Sequence, residues 1–200
     1  NSSPLTDGAS GVIVMAEAKA KALGYTPLAY VRAYAVAAVD PGWQLLQGPA
    51  FAVPRVLERA GLTWKDLGLV EIHEAFASQV LSTLKAWEDP VFCKERLGLD
   101  APLGSVDRAK LNVNGSSLAA GHPFAATGGR IVATLAKLLS ERESGRGLVS
   151  ICAAGGQHAQ HIRRVLGAMG HECGFVCGDT PGSERAQTLE HRRHAQLGRA

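Results

Sequence analysis

The chain predicts a layered α/β domain with a mixed sheet, because short β-branched runs alternate with stretches of helical period along most of its length. Two of those runs, 67–72 (L-G-L-V-E-I) and 147–152 (G-L-V-S-I-C), carry the short, apolar signature of strands buried on both faces. The size and composition agree. At 200 residues and 46% hydrophobic content the chain suffices for one sizeable core or two small ones, and it contains no internal repeat or low-complexity block.

Taken in order, the opening N-S-S-P-L-T-D-G reads as a loop in which Asp7 caps a helix over 8–23, closed by Gly24. Residues 28–39 (L-A-Y-V-R-A-Y-A-V-A-A-V) predict a strand ended by Pro41-Gly42. A helix over 50–60 follows, stopped by Gly61, with Pro54 either in its first turn or kinking it. Thr63-x-x-Asp66 forms a capping-box pattern ahead of the strand 67–72. In 74–87, Phe76, Val80, Leu84 and Trp87 recur at spacings of four, four and three, one apolar helical stripe for the core. Residues 89–110, with Pro90, Pro102 and mixed charges, read as a long connection in which Cys93 is a plain packed or exposed thiol. A strand over 110–113, a glycine-rich loop, a helix over 130–139 and the strand 147–152 complete the pattern.

Bulk properties narrow the function. The net charge of +3 comes from scattered basic residues, so nothing argues for nucleic acid, and a small molecule is the better partner. No apolar run reaches the roughly 18 residues of a membrane span, and Asn1 opens on no signal-like segment. Four cysteines, Cys93, Cys152, Cys173 and Cys177, are too few and too scattered for a disulfide framework, which suits a reducing, cytoplasmic setting.

Three motifs carry chemistry. The stretch 112–129, N-V-N-G-S-S-L-A-A-G-H-P-F-A-A-T-G-G, places His122 in a glycine-rich turn feeding a helix, where backbone N–H groups and the helix dipole are expected to face a ligand. His73-Glu74-Ala75-Phe76-Ala77 follows the strand 69–72, so His73 stands at a strand's carboxyl end, where open α/β sheets bind ligands. A satisfied core histidine is the competing reading. Glu74 is either an orienting partner or a first-turn acid complementing a helix dipole. Cys152-Ala153-Ala154-Gly155-Gly156 follows the last strand, and a thiol at such a turn is expected to have the depressed pKa of a proton shuttle.

In this order the three motifs resemble the C-terminal half of thiolases, over about 1–157. Within that family they are most similar to the β-subunit of the trifunctional fatty-acid oxidation complex, which carries His where most thiolases carry Asn at the position of His73. The resemblance implies one half of the five-layered α-β-α-β-α thiolase fold, with 1–26 a remnant of the N-terminal half, 27–157 the C-terminal domain and 158–200 a divergent tail. It implies a 3-ketoacyl-CoA thiolase (acetyl-CoA C-acyltransferase) of fatty-acid β-oxidation, using coenzyme A as substrate with no cofactor and no metal. His122 is then the residue that activates the nucleophile, Cys152 the proton shuttle, His73 an oxyanion-hole group in place of the family's water-holding asparagine, the Ala154 N–H a donor to a second oxyanion hole, and Ser3 a neighbour of the pantetheine arm. An ordinary ST-rich turn is the alternative for Ser3. The resemblance also implies a homodimer, a hydratase–dehydrogenase α-subunit as partner, and a cytoplasmic location in a bacterium or a mitochondrial one in a eukaryote. The nucleophilic cysteine belongs to the half not represented, so the chain alone is expected to lack turnover.

From His158 the character changes, and the abruptness favours a shifted reading frame or a divergent end, with 162–166 the only replacement for the family's last strand. His171, Cys173 and Cys177 form H-x-C-x3-C, which lacks the paired spacing of structural zinc sites. Besides the enzyme, a non-catalytic module binding acyl-CoA or protein and a zinc protein centred on the tail are the readings to be separated.

Overall fold

In the computed structural model, residues 1–40, 42, 45–142 and 145–153 are described, and the compact unit they form runs Asn1–Cys152. Ala154, the turn 155–157, the replacement strand 162–166 and the His171–Cys173–Cys177 group lie outside the described residues.

The centre is a parallel pair, β1 (Leu69–Ile72) and β2 (Gly147–Ser150), in the register Leu69↔Gly147 through Ile72↔Ser150. A parallel pair cannot be closed by a hairpin, and here the crossover contains every helix between the two strands. Period-2 alternation divides their side chains between two layers. Val70, Ile72 and Leu148 enter the main core with Val53, Leu57, Val80, Leu84 and Trp87. Leu69, Glu71 and His73 point the other way, toward helix α6 (Thr127–Ser140), whose Ile131 and Leu135 are buried. Gly147 is required in that second layer, because a Cβ there would lie 2.7 Å from Leu135 Cδ1. Helices on both faces of a parallel sheet are the α/β class the sequence predicts.

The remaining elements are α1 (Glu17–Ala22), α2 (Gly48–Ala60), α3 (Ala77–Glu88), α4 (Pro90–Leu97) and α5 (Ser117–Ala120), with 3-10 turns at Trp64–Asp66 and Arg108–Lys110. Helix α2 ends at Gly61, left-handed at φ 65°, as the sequence requires. Pro54 lies inside α2 rather than in its first turn. Its missing N–H would have bonded to Ala50, and the Ala50 carbonyl instead accepts from Trp87 Nε1–H at 3.2 Å. The proline thus becomes a joint between α2 and α3. The Thr63–Asp66 box forms, with Asp66 Oδ2 accepting from the Thr63 N–H and hydroxyl at 2.8 Å each.

Several sequence expectations are corrected. The helix expected over 8–23 is confined to Glu17–Ala22, although Gly24 closes it at φ 73°. Residues 28–39 form no strand: no described segment offers them a ladder, and the chain is tied to the end of α2 by Arg32 donating to the Ala60 carbonyl at 2.9 Å and Arg59 to the Tyr34 carbonyl at 2.7 Å. Pattern alone does not make a strand where no described neighbour pairs with it. Phe76 is not part of the buried stripe but the N-cap residue of α3, and it is 41% exposed. The connection 89–110 hides α4, capped by Asp89 Oδ1 accepting from the Val91 and Phe92 N–H groups and ended by Gly98 at φ 69°. Cys93 is fully buried there. The strand expected over 110–113 shrinks to one parallel bridge, Val70↔Leu111. Among the described residues no helix is long and apolar enough to cross a membrane.

Candidate active site

The carboxyl ends of β1 and β2 bring His73 and Cys152 out at the same end of the parallel pair. The His73 N–H donates to the Ser150 carbonyl at 2.9 Å, continuing the ladder by one bond beyond the strand. The loop with His122 is then fastened to the sheet by Asn112, whose Oδ1 accepts from the Ile72 N–H at 2.8 Å while its Nδ2 donates to the Ile72 carbonyl at 3.0 Å and to Glu74 Oε1 at 2.8 Å. An asparagine side chain thus serves as one more strand residue at the edge of β1, and its own backbone sits at φ 48°, a conformation this residue type tolerates. Glu74 Oε2 accepts from the Leu118 N–H in the first turn of α5 at 3.0 Å. Glu74 is therefore neither a first-turn acid of α3, which begins at Ala77, nor a hydrogen-bond partner of His73; it holds the loop in place.

That fastening brings the imidazoles together. The rings of His73 and His122 lie 4.3 Å apart, centre to centre, and Phe124 covers the outer side of His122 at 4.6 Å. His73 is 2% exposed and its Nδ1 is 2.8 Å from Ser117 Oγ, which also accepts from Arg130 Nη2 at 3.0 Å. His122 Nδ1 is 2.7 Å from Thr127 Oγ1, whose own proton goes to the Pro123 carbonyl at 3.0 Å. Burial, the neighbouring His122 and the Arg130 guanidinium hold the His73 pKa down at about 4. His122 is lowered as well, by burial first and by Arg130 second. Both rings are neutral at pH 7. Within the loop, the N–H groups of Gly121, His122, Ala126 and Thr127 are engaged by the Ser117, Pro4 and Pro123 carbonyls. Gly121 is left-handed at φ 91°, and a Cβ there would lie 2.6 Å from Thr6 Oγ1, so only glycine admits the N-terminal segment this closely.

Ser3 joins this neighbourhood. Its N–H donates to the Ala75 carbonyl at 3.0 Å, the Pro4 carbonyl accepts from His122, and Ser3 is 9% exposed. Cys152 is 7% exposed, with its thiol 3.6 Å from Gln79 Oε1. Its expected depressed pKa is not found. Burial pushes the thiol up to about 11, and hydrogen bonds from the Cys152 and Ala75 backbone offset only part of that shift. Gln79 belongs to a polar chain on α3, in which Thr83 Oγ1 accepts from Gln79 Nε2 at 3.2 Å and Gln47 Nε2 donates to Ser82 Oγ at 2.8 Å.

Beneath the imidazoles lies Glu71, 1% exposed, whose carboxylate oxygens have no hydrogen-bond partner among the described residues. Burial raises its pKa to about 7, with Arg130 pulling down and Glu74 pushing up by smaller amounts. Asn112, Ser117, Thr127, Arg130, Gln79 and Glu71 are the surrounding residues that sequence reading did not single out. Only Asn112 and Thr127 carried a signal, as polar residues flanking a glycine-rich turn.

Residues 25–164 match the family described as thiolase, C-terminal domain, which reaches a little past Gln157. Over 162 residues the chain is 52% identical to a 3-ketoacyl-CoA thiolase of Pseudoalteromonas atlantica, covering 81% of this chain and 37% of that protein. A 3-ketoacyl-CoA thiolase of Shewanella amazonensis is 49% identical over 165 residues, covering 82% and 38%. Among solved structures, the acetyl-CoA acetyltransferase of Bacillus anthracis superposes at a TM-score of 0.55 with 39% identity, covering 70% of this chain and 31% of that one. The acetyl-CoA acetyltransferase of Syntrophomonas wolfei superposes at 0.57 with 34% identity, covering 70% and 33%. The chain spans less than two fifths of the length of these curated relatives. With a parallel sheet presenting His73 and Cys152 at one end and a family match across most of its length, this chain belongs to the thiolase family.

Proposed function

We propose that the chain is the C-terminal part of a 3-ketoacyl-CoA thiolase of fatty-acid β-oxidation, a cytoplasmic enzyme in a bacterium, cleaving 3-ketoacyl-CoA with coenzyme A to acetyl-CoA and a shortened acyl-CoA. The observation that carries this reading is the pairing of two imidazoles, 4.3 Å apart, at the end of the parallel pair that also presents Cys152. Each then has a task. A nucleophilic cysteine from the other half adds to the C3 carbonyl, and His122 Nε2, left bare because Nδ1 is engaged by Thr127, takes its proton. The C2–C3 bond breaks, its electron pair passes to C2 of the departing acetyl-CoA, and the proton that C2 needs comes from Cys152. A thiol with a pKa near 11 is a reservoir that gives its proton to a carbanion and not to water at pH 7. His73 faces a developing oxyanion, Ser3 lies along the pantetheine arm, and the Ala154 N–H serves a second oxyanion hole. A homodimer and a hydratase–dehydrogenase α-subunit complete the assembly in this reading.

The test is complementation. The 200-residue chain, co-expressed with the N-terminal half of the Pseudoalteromonas relative and purified as a complex, is expected to turn over 3-ketoacyl-CoA repeatedly only when coenzyme A is present, consuming no more than one equivalent per site without it. The chain alone is expected to show no thiolysis. An assembled complex that binds acyl-CoA but leaves 3-ketoacyl-CoA intact would overturn the reading.

A further inference from the structure

We propose that Ser117 and Arg130 are positioning residues that fix His73 as an Nε2–H donor, while Thr127 fixes the adjacent His122 in the opposite tautomer, with Nδ1 protonated and Nε2 bare. The argument is an accounting of protons. A serine hydroxyl has one proton and two lone pairs, and an arginine can only donate. Arg130 Nη2 donates to Ser117 Oγ at 3.0 Å, so one lone pair of a fully buried hydroxyl is occupied. The Ser117 proton then needs an acceptor, and the polar atom within reach among the described residues is His73 Nδ1, at 2.8 Å. His73 Nδ1 is therefore bare and its proton is on Nε2. The guanidinium charge beside Oγ strengthens this by polarising the hydroxyl as a donor.

The same accounting gives the reverse answer 4.3 Å away. Thr127 Oγ1 gives its proton to the Pro123 carbonyl at 3.0 Å and so can only accept at 2.7 Å from His122 Nδ1–H. One ring presents an N–H and the other a lone pair. Two chemically identical side chains thus become a donor and a base through the third atom in each chain, the Arg130 nitrogen on one side and the Pro123 oxygen on the other. The donor task assigned to His73 rests on the thiolase reading; the tautomers do not.

The experiment is long-range ¹⁵N–¹H NMR of the histidine rings in the ¹⁵N-labelled 200-residue chain near pH 7.5, with His73→Asn and His122→Asn spectra assigning the two residues. The expected result is a pyrrole-type Nε2 and pyridine-type Nδ1 for His73, and the reverse for His122. Ser117→Ala is expected to move His73 toward a mixture of tautomers and leave His122 unchanged; Thr127→Val is expected to do the converse. In the restored enzyme Ser117→Ala is expected to lower kcat by roughly 5- to 10-fold with KM unchanged, the effect of one hydrogen bond. A parent spectrum with His73 protonated on Nδ1 overturns the proposal without any variant, and so does a His73 tautomer that ignores Ser117→Ala. A restored parent enzyme that fails to turn over counts against the functional reading alone, because the parent spectrum decides the tautomers independently.

Discussion

The imidazole side and the thiol side of this site are built differently. His73 and His122 each end a chain of two directed hydrogen bonds of 3.0 Å or less, so ring orientation and proton position are both fixed. Cys152 has only weak polar contacts, a Gln79 oxygen at 3.6 Å and the backbone of Cys152 and Ala75, and lies buried with no cation beside it among the described residues. Side chains that must present one chosen nitrogen need partners that count protons. A thiol that must keep its proton until a carbanion forms needs only a low-dielectric place to sit. The sharpest way to break this comparison is to remove both ends in the restored enzyme. His122→Ala and Cys152→Ala are each expected to lower kcat by about 10³-fold or more, as lost general acid–base groups do. Single-turnover measurement separates them: the acyl-enzyme should fail to form in the first variant, and proton delivery to the acetyl-CoA carbanion should fail in the second.

His73 sharpens the comparison from within the imidazole side. Loss of one preorganised oxyanion donor typically lowers kcat by about 10²–10³-fold, so His73→Ala is expected in that band with KM little changed. His73→Asn should regain part of the loss by restoring an amide donor. If His73→Ala retains parental kcat, His73 is a packed core histidine held by Ser117.

The thiol side is testable in the chain as it stands. With a pKa near 11, Cys152 should react with iodoacetamide at pH 8 roughly 10²-fold more slowly than an unperturbed cysteine. Its rate should still rise about tenfold per pH unit up to pH 10. Peptide mapping by mass spectrometry resolves Cys152 from the other cysteines. A rate that levels off near pH 9 would mean that the thiol titrates as an ordinary cysteine and would erase the contrast between the two sides.

How much of this was legible in the sequence follows the same division between what a residue does and what holds it. The strands that deliver His73 and Cys152 were readable because their apolar runs are short and glycine-bounded. Helix α4 carried its own signals, Asp89 before Pro90 and Gly98 after Leu97, yet the prolines and mixed charges around it read as loop. Residues 28–39 failed for the opposite reason, a good strand pattern with no ladder to join among the described residues. The candidate residues themselves stood out only through their motifs. Arg130, Ser117 and Gln79 did not, because each acts through an atom brought to it by the fold, 13 residues away for Arg130 and Ser117 and 73 for Gln79 and Cys152. The raised thiol pKa was misread for a related reason: a glycine turn suggests free N–H groups, while burial, which dominates here, is a property of the packed layers.

Glu71 gives the smallest expected effect and tests whether the imidazole side alone sets the chain's response to pH. Its folded pKa is raised from 4.5 to about 7, so its contribution to stability is fully present below about pH 4.5 and is lost as pH rises through 7. His73 has the opposite sign. Its folded pKa is depressed from 6.5 to about 4, so folding is favoured above 6.5 and stability is lost as pH falls toward 4. Between pH 4.5 and 6.5 the two slopes oppose each other, and the parent chain should show a shallow dependence there. Glu71→Gln removes one of them at nearly constant volume. The difference in unfolding free energy, variant minus parent, should therefore climb by on the order of 2–3 kcal/mol from pH 4.5 to 7.5, and the variant's own curve should now rise with pH across that window. Urea titrations at four or five pH values measure it, and the difference isolates Glu71 because every other group titrates in both proteins. Parallel curves would mean that the Glu71 carboxyl is ionised throughout and paired with Arg130, and the electrostatic account of the layer beneath the two imidazoles would then be wrong.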